Sequence, residues 1–318
     1  MTFDYTAMGF ITFDCLCRPV TQIPPGGGTY FVDDFTLAVS GAAGSAAIVA
    51  AKHGLSVQAV GGVGADDMGD WVLMKMQKFG IDTELMQLCP GAYTSSSIVT
   101  TRPDGQRPAL HKKGATGAFY VDDTQIDRVL DTRILHVGGV GLMDRMDMGR
   151  NAEVMQEARR RGCITTLDVF AATSDDLALV RPLLAHTDYF IPSIEEAMAL
   201  SGLTDHEEIA DFLLGLGAGA VVITLGADGA MYRDSKGGKF DVPAYDIDVV
   251  CTCGCGDCFN AGFATGLYLG RSMEDCVRLG QASSAQNAMG LGSQAVVSSL
   301  DATLRFMEST PSRCYVQA

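Results

Sequence analysis

The sequence predicts an α/β protein with a mainly parallel central sheet covered by helices, and three observations carry that expectation. Short β-type runs alternate with amphipathic stretches from end to end, the pattern of strands joined by crossover helices. Apolar residues recur at helical spacing between them, with cap residues at the expected ends. The chain has 318 residues and is 47% hydrophobic, enough for one large buried core.

In chain order, Pro19 to Asp34 is rich in Pro and Gly and reads as a β excursion away from the main sheet. Phe35 to Ala51 carries no charge, yet it is mostly Ala, Gly and Ser, which argues against a membrane span. After Ser45 it reads as a helix packed closely on a neighbour. Asp66 is a candidate N-cap for a helix in which Met68, Val72, Met76 and Phe79 share a face, ending at Gly80. Thr94 to Lys113, with a turn signal at Asp104-Gly105, reads as a second β excursion. Strand runs follow at Ile134 to Val137, Cys163 to Leu167, Tyr189 to Ile191 and Val221 to Leu225, with a helix over Met146 to Arg161. No repeat or interdomain linker is visible, so residues 1–318 are expected to form one domain. Inserted β segments about 15–39 and 92–115 are expected to form a small lid.

Charge narrows the function. Against 38 acidic side chains stand 23 basic ones, a net charge of −15. Such a surface repels phosphate backbones and anionic lipid, so neither nucleic acid nor membrane is an expected partner, and small-molecule chemistry is. Met1 to Asp14 lacks the basic start of a secretory signal, and ten cysteines at this length fit free thiols, so a cytoplasmic protein is expected.

Cys251 to Asp257 is the most informative stretch. Its two glycines permit a tight turn, and Phe259, Phe263 and Leu267 then recur at helical spacing, so a loop runs directly into a helix. Unpaired amides at such an N-terminus, reinforced by the helix dipole, form an anion site. Asp257, in the first turn, is placed to take a proton from an attacking hydroxyl while Gly254, Cys255 and Gly256 hold charge on a transferred phosphoryl group. An ordinary helix cap would look the same. Upstream, the apolar run Val221 to Leu225 ends in a small-residue turn, Gly226 to Gly229, where ligands dock at the carboxyl edge of open α/β sheets. Thr224 and these glycines could approach nucleotide phosphates; a plain β-turn is the alternative.

In this order, the two stretches resemble the phosphofructokinase B (PfkB), or ribokinase-like, family of carbohydrate and nucleoside kinases. Gly9 to Asp14 resembles that family's first strand, Ser40 to Ala47 its double-glycine segment, Gly62 to Gly69 the following turn and helix, and Pro192-Ser193-Ile194-Glu195-Glu196 its Pro-Asn-x-x-Glu motif. The resemblance implies a ribokinase-like three-layer α/β/α domain with a β lid. It further implies Asp257 as general base and Gly254, Cys255 and Gly256 as anion hole, with Asp14, Gly41 and Ser45 on the acceptor. Ser193, Thr224, Gly226, Gly229 and Gln281 would border the nucleotide, and Glu196 would act on Mg²⁺ through water. The implied reaction is ATP-dependent phosphorylation of a hydroxyl of a small sugar or related polyol. A nucleoside kinase or a non-catalytic member is the alternative, and a homodimer through the lid is expected.

Three positions depart from the family pattern. Ser45 and Ser193 stand where Asn is usual, and Cys251 replaces the Asp of the monovalent-cation site. A thiol is a poor K⁺ ligand, so activity is expected not to require K⁺. Read alone, Cys251, Cys253, Cys255 and Cys258 would suggest zinc or an iron-sulfur centre, but they would then be lost to phosphate binding. Gly61 to Gly64 superficially resembles a dinucleotide fingerprint, which Asp67 breaks. Arg102, Arg107, Lys112 and Lys113 cluster on the lid and could meet an acidic acceptor, although solvated charges are the commoner reading; His111 adds little there.

Overall fold

The computed structural model describes residues 1–170 and 173–313. Its thirteen strands are β1 (Phe3–Gly9), β2 (Thr12–Arg18), β3 (Asp34–Ser40), β4 (Val57–Val63), β5 (Asp82–Leu88), β6 (Ser96–Thr100), β7 (Ala109–Lys112), β8 (Thr132–Val140), β9 (Ile164–Val169), β10 (Tyr189–Phe190), β11 (Ala220–Thr224), β12 (Ala230–Asp234) and β13 (Lys239–Val242). Nine of them form one sheet in the order β13-β12-β11-β10-β9-β8-β1-β4-β5. Every pairing from β11 to β5 is parallel, and the β11-β12-β13 edge is antiparallel. The central strands are long apolar runs because both faces are covered: β4 is buried at every position.

The helices are α1 (Ala42–Lys52), α2 (Asp67–Lys78), α3 (Ile126–Val129), α4 (Asp144–Asp147), α5 (Arg150–Arg160), α6 (Leu177–Leu184), α7 (Ile194–Ser201), α8 (His206–Gly215), α9 (Cys255–Tyr268), α10 (Met273–Ala288) and α11 (Leu300–Ser309). On one face of the sheet, Val154 and Met155 of α5, Leu183 of α6 and Leu213 of α8 pack with Met8 and Leu135. On the other, Ala46, Ile48, Cys258 and Ala261 of α1 and α9 pack with Tyr5 and Ala7. Side chains that alternate along β1 therefore feed two cores, which makes a three-layer α/β/α fold.

Asp66 caps α2 as expected, its Oδ1 accepting the Gly69 amide at 2.9 Å. Three elements differ from the sequence reading. Helix α1 begins at Ala42, not after Ser45, because Gly41 (φ +86°) turns the chain and the Ala43 amide donates to the Phe10 carbonyl at 3.0 Å. The helix expected over Met146 to Arg161 is split into α4 and α5 by Gly149 (φ +110°), a conformation that interrupts helical geometry. Pro19 to Asp33 is a connection rather than a strand; the strands lie on either side of it.

Those flanking strands join β6 and β7 in a second sheet, β3-β2-β6-β7, beside the carboxyl edge of the main one. Register puts Asp14 opposite Ser97, and Ser97 opposite His111, on the face toward the main domain. On the opposite face Leu37, Cys15, Ile98 and Leu110 form a row across all four strands, with Leu37, Ile98 and Leu110 exposed. No helix of the described residues is long and apolar enough to cross a membrane.

Candidate active site

A cleft of about 570 Å³ lies between the inner face of the small sheet and the carboxyl edge of the large one. Most of the residues selected from sequence meet there: Asp14, Gly41, Ser193, Glu196, Thr224, Gly226 and Gly254 to Asp257 all line it. Ser45, Gly229 and Gln281 do not. Ser45 is fully buried on α1, directly behind the Asp257 carboxylate. Gly229 (φ +105°) serves the β11–β12 turn, where a Cβ would fall 2.0 Å from the Val242 carbonyl oxygen. Gln281, which the resemblance places beside the nucleotide, is 7% exposed on α10 and is not part of the cleft lining.

Gly254 is the N-cap of α9 in a left-handed conformation (φ +74°), and a side chain there would meet Ser293 at 2.9 Å. Glycine is required at this bend. The Cys255 amide turns back to the Thr252 carbonyl at 3.3 Å, which leaves the Gly254 and Gly256 amides without a backbone acceptor among the described residues. Among the described residues no side chain caps α9, and nothing lies within 4 Å of the Gly256 Cβ position. An open helix end with free N–H groups can receive an anion. The loop cysteines are occupied elsewhere: Cys251 Sγ lies 3.3 Å from Thr101 Oγ1, Cys253 Sγ 3.4 Å from Ser293 Oγ, and Cys255 Sγ donates to the Ser284 carbonyl. Burial pushes the Cys253 thiol up to about 12 and Cys255 to about 11, so both remain protonated. Nine described cysteines are free, and Cys314 lies outside the described residues.

Asp257, third in α9, is half-buried in the cleft lining. Burial raises its pKa, and Asp14 adds to the rise, while Ser45 and the Arg107 charge pull it down. A carboxylate whose proton affinity is raised above the ordinary range is a better general base. Asp14 is buried and raised by burial, and Ser97, Ser40, Thr12 and His111 temper the shift. Thr12 Oγ1 donates to it at 3.3 Å.

Sequence reasoning missed Asp168. It is the last residue but one of β9, is 8% exposed, and accepts the Asn260 amide at 2.7 Å. Burial drives its pKa far up, and the charges of Glu196 and Asp257 add to that. Glu196 rises to about 7, chiefly by burial and against two hydrogen bonds from Ser193. Those bonds, 2.9 Å from the Ser193 amide and 2.8 Å from its hydroxyl, both reach Oε2 and form a capping box that fixes Glu196 at the start of α7. The only signal for Asp168 was an acid at the carboxyl end of a predicted strand. His111 was undervalued too: its Nδ1 lies 3.1 Å from Ser97 Oγ, its ring meets Phe10 edge-on, and it lines the cleft.

Burial raises the proton affinity of all three acids, the charges of Glu196 and Asp257 add to the rise of Asp168, and that of Asp257 adds to the rise of Glu196, so the cluster favours either a proton or a divalent cation. The donors are hard carboxylate oxygens, which suit Mg²⁺. Among the described residues no three acidic, histidine or cysteine side chains converge closely enough to ligate an ion directly.

The model of the pfkB family carbohydrate kinases matches residues 13–299. A cytidine kinase from Thermococcus kodakarensis is 27% identical over 87% of this chain and 93% of its own length. A 2-dehydro-3-deoxygluconokinase from Bacillus subtilis is 27% identical over 84% of this chain and 85% of its own. Among solved structures, a putative ribokinase II from E. coli in complex with ATP and Mg²⁺ superimposes with a TM-score of 0.82, at 20% identity over 96% of this chain and 99% of that one.

Proposed function

Because the chain belongs to the pfkB family of carbohydrate kinases, we propose that it is a phosphotransferase moving the γ-phosphoryl group of ATP to a hydroxyl of a small sugar. The observation that carries this reading is the meeting, in one cleft, of an uncapped helix end at Gly254 to Asp257 with the buried Asp14 across from it. Asp14 and Gly41 hold the acceptor, and Asp257 receives the hydroxyl proton. The Gly254 and Gly256 amides, with the dipole of α9, hold the charge of the group in transfer. Thr224 and the open Gly226 border the nucleotide phosphates; nothing lies within 4 Å of a Cβ placed at Gly226. Mg²⁺, held through water by Glu196 and Asp168, would neutralise nucleotide phosphate charge when bound. The small sheet acts as the lid that excludes water, and its outer row, Leu37, Ile98 and Leu110, pairs two copies as a homodimer.

A nucleoside acceptor is the second reading. It is favoured by the cytidine kinase relative and by Phe10 and Phe170 in the cleft wall, which offer ring faces to a base.

The test is a panel of neutral sugars, sugar acids, polyols and nucleosides with ATP and Mg²⁺, followed as ADP formation, with Asp257→Asn beside the wild type. One class of acceptor is expected to turn over, and Asp257→Asn to lose about 10³-fold or more in kcat. Turnover by Asp257→Asn at the wild-type rate would falsify its assignment as the base.

A further inference from the structure

Among the described residues Arg107 is the one cationic side chain lining the cleft, which otherwise presents Asp14, Asp168, Glu195, Glu196 and Asp257. The other basic residues of the lid are committed: Arg102 donates to Gln106, Lys112 lies 3.8 Å from the Tyr93 ring centroid, and Lys113 pairs with Asp144 at 2.5 Å. The Arg107 guanidinium has no ion pair or hydrogen bond among the described residues. Five unused donors in a fixed fork, on the wall of an anion site, are an unanswered recognition element.

The backbone shows which part of the cleft this fork serves. Between β6 and β7 the chain turns at Gly105 (φ +84°), and this turn is docked on the residues that lead into the α9 loop. Thr252 Oγ1 donates to the Gly105 carbonyl at 3.5 Å, a Cβ on Gly105 would lie 3.1 Å from Val249, and Thr101 Oγ1 meets Cys251 Sγ at 3.3 Å. Arg107, two residues past Gly105, is thereby held over the Cys253 to Asp257 end of the cleft, and its charge draws down the proton affinity of Asp257.

We propose that Arg107 is a catalytic residue that completes the anion hole, its guanidinium taking an equatorial oxygen of the transferred phosphoryl group opposite the α9 amides. This rests on the kinase reading above. In the step, the acceptor oxygen bonds to the γ-phosphorus as the bond to the β,γ-bridging oxygen breaks. The hydroxyl proton goes to Asp257, and ADP departs with the electron pair. Charge on the equatorial oxygens then lies between a helix end and a guanidinium.

The test compares full-length wild type with Arg107→Ala and Arg107→Lys. Arg107→Ala is expected to lower kcat about 100-fold with every acceptor that turns over, while acceptor KM stays within about threefold. Arg107→Lys should recover only a small part, and added guanidinium ion should partly rescue Arg107→Ala. An unchanged kcat overturns the proposal. So does a raised KM confined to acceptors bearing a carboxylate or phosphate, because Arg107 would then hold the acceptor's own anion. If wild type turns over no acceptor, the kinase reading fails separately. Calorimetry with ADP, Mg²⁺ and aluminium fluoride then decides: about tenfold weaker binding by Arg107→Ala supports the role, and equal binding, or none by wild type, overturns it.

Discussion

The two sheets solve the same problem in opposite ways. The nine-stranded sheet is covered on both faces, and its strands β4, β8 and β11 are close to continuously buried. The four-stranded sheet is covered on one face only, and its outer row leaves Leu37 40%, Ile98 50% and Leu110 63% exposed. The first supplies a rigid edge from which Asp168 and Thr224 project. The second supplies Asp14, Arg107 and His111 on an element with little core of its own, anchored through the turn at Gly105. Under the proposed assignment the sheet covered on both faces borders the nucleotide and the sheet covered on one face borders the acceptor, the division expected of a site that must close over one substrate and reopen.

A pair of truncations breaks or sharpens that contrast with the largest effect on stability. Ile223, fully buried in β11, packs in the major core, and Ile223→Ala is expected to cost about 2–5 kcal/mol in urea denaturation. Ile98→Ala on the outer lid face is expected to stay within about 0.5 kcal/mol at low protein concentration. A cost for Ile98→Ala that grows with protein concentration, alongside a dimer in sedimentation, would show that a second copy covers this face. Equal costs for the two at high dilution would contradict the contrast.

The same contrast explains how much was legible in the sequence. The strands of the large sheet stood out because burial on both faces demands unbroken apolar runs such as Val221 to Ile223. The lid strands were blurred, since exposed Phe35, Leu37 and Ile98 alternate with buried or half-buried polar residues, and the Pro and Gly residues marked the connection rather than the strands beside it. The loop that runs into α9 was readable because glycine at Gly254 answers a local demand, a left-handed bend against Ser293. Asp168 and Arg107 were not singled out, because their significance is non-local. One aspartate after one strand means nothing until Glu196 and Asp257 are brought beside it, and one arginine among four basic residues differs only once the other three are seen to be engaged. Gly149 was missed for a related reason: the flanking apolar spacing continues past the break.

The acidic cluster gives a smaller, pH-dependent effect. Glu196 is raised to about 7 in the folded protein against 4.5 ordinarily, so between those values the folded chain binds more protons than the unfolded one. Stability from this group is therefore present at low pH and lost as pH rises through about 7. Without nucleotide and Mg²⁺, the wild-type Tm is expected to fall about 2 °C more than that of Glu196→Gln between pH 6 and pH 8. Parallel Tm profiles for the two proteins would show that the cluster is not strained by its own charge. Mg²⁺ with ATP should reduce the difference by favouring the ionised carboxylates.

The smallest expected effect is none at all, and it concerns the place where the two sheets meet. Cys251 stands where the family pattern has the aspartate of a monovalent-cation site. Here its side chain is fully buried in a small cluster with Leu16, Ala38, Val99 and Cys253 that joins the lid to the catalytic loop. Its sulfur faces Thr101 Oγ1 and accepts weakly from the Cys253 amide at 3.5 Å. A K⁺ ion requires several hard oxygen donors, and an apolar cluster around a thiol offers few. Lid and loop contact each other directly here, through Thr101 with Cys251 and Thr252 with Gly105. Replacing K⁺ by Na⁺ or by tetramethylammonium at constant ionic strength is expected to leave kcat unchanged, whereas a several-fold K⁺ activation would show that the loop still depends on an ion. Cys251→Asp separates the two further: if the apolar contact is what orders the loop, this variant loses activity in Na⁺ and K⁺ alike.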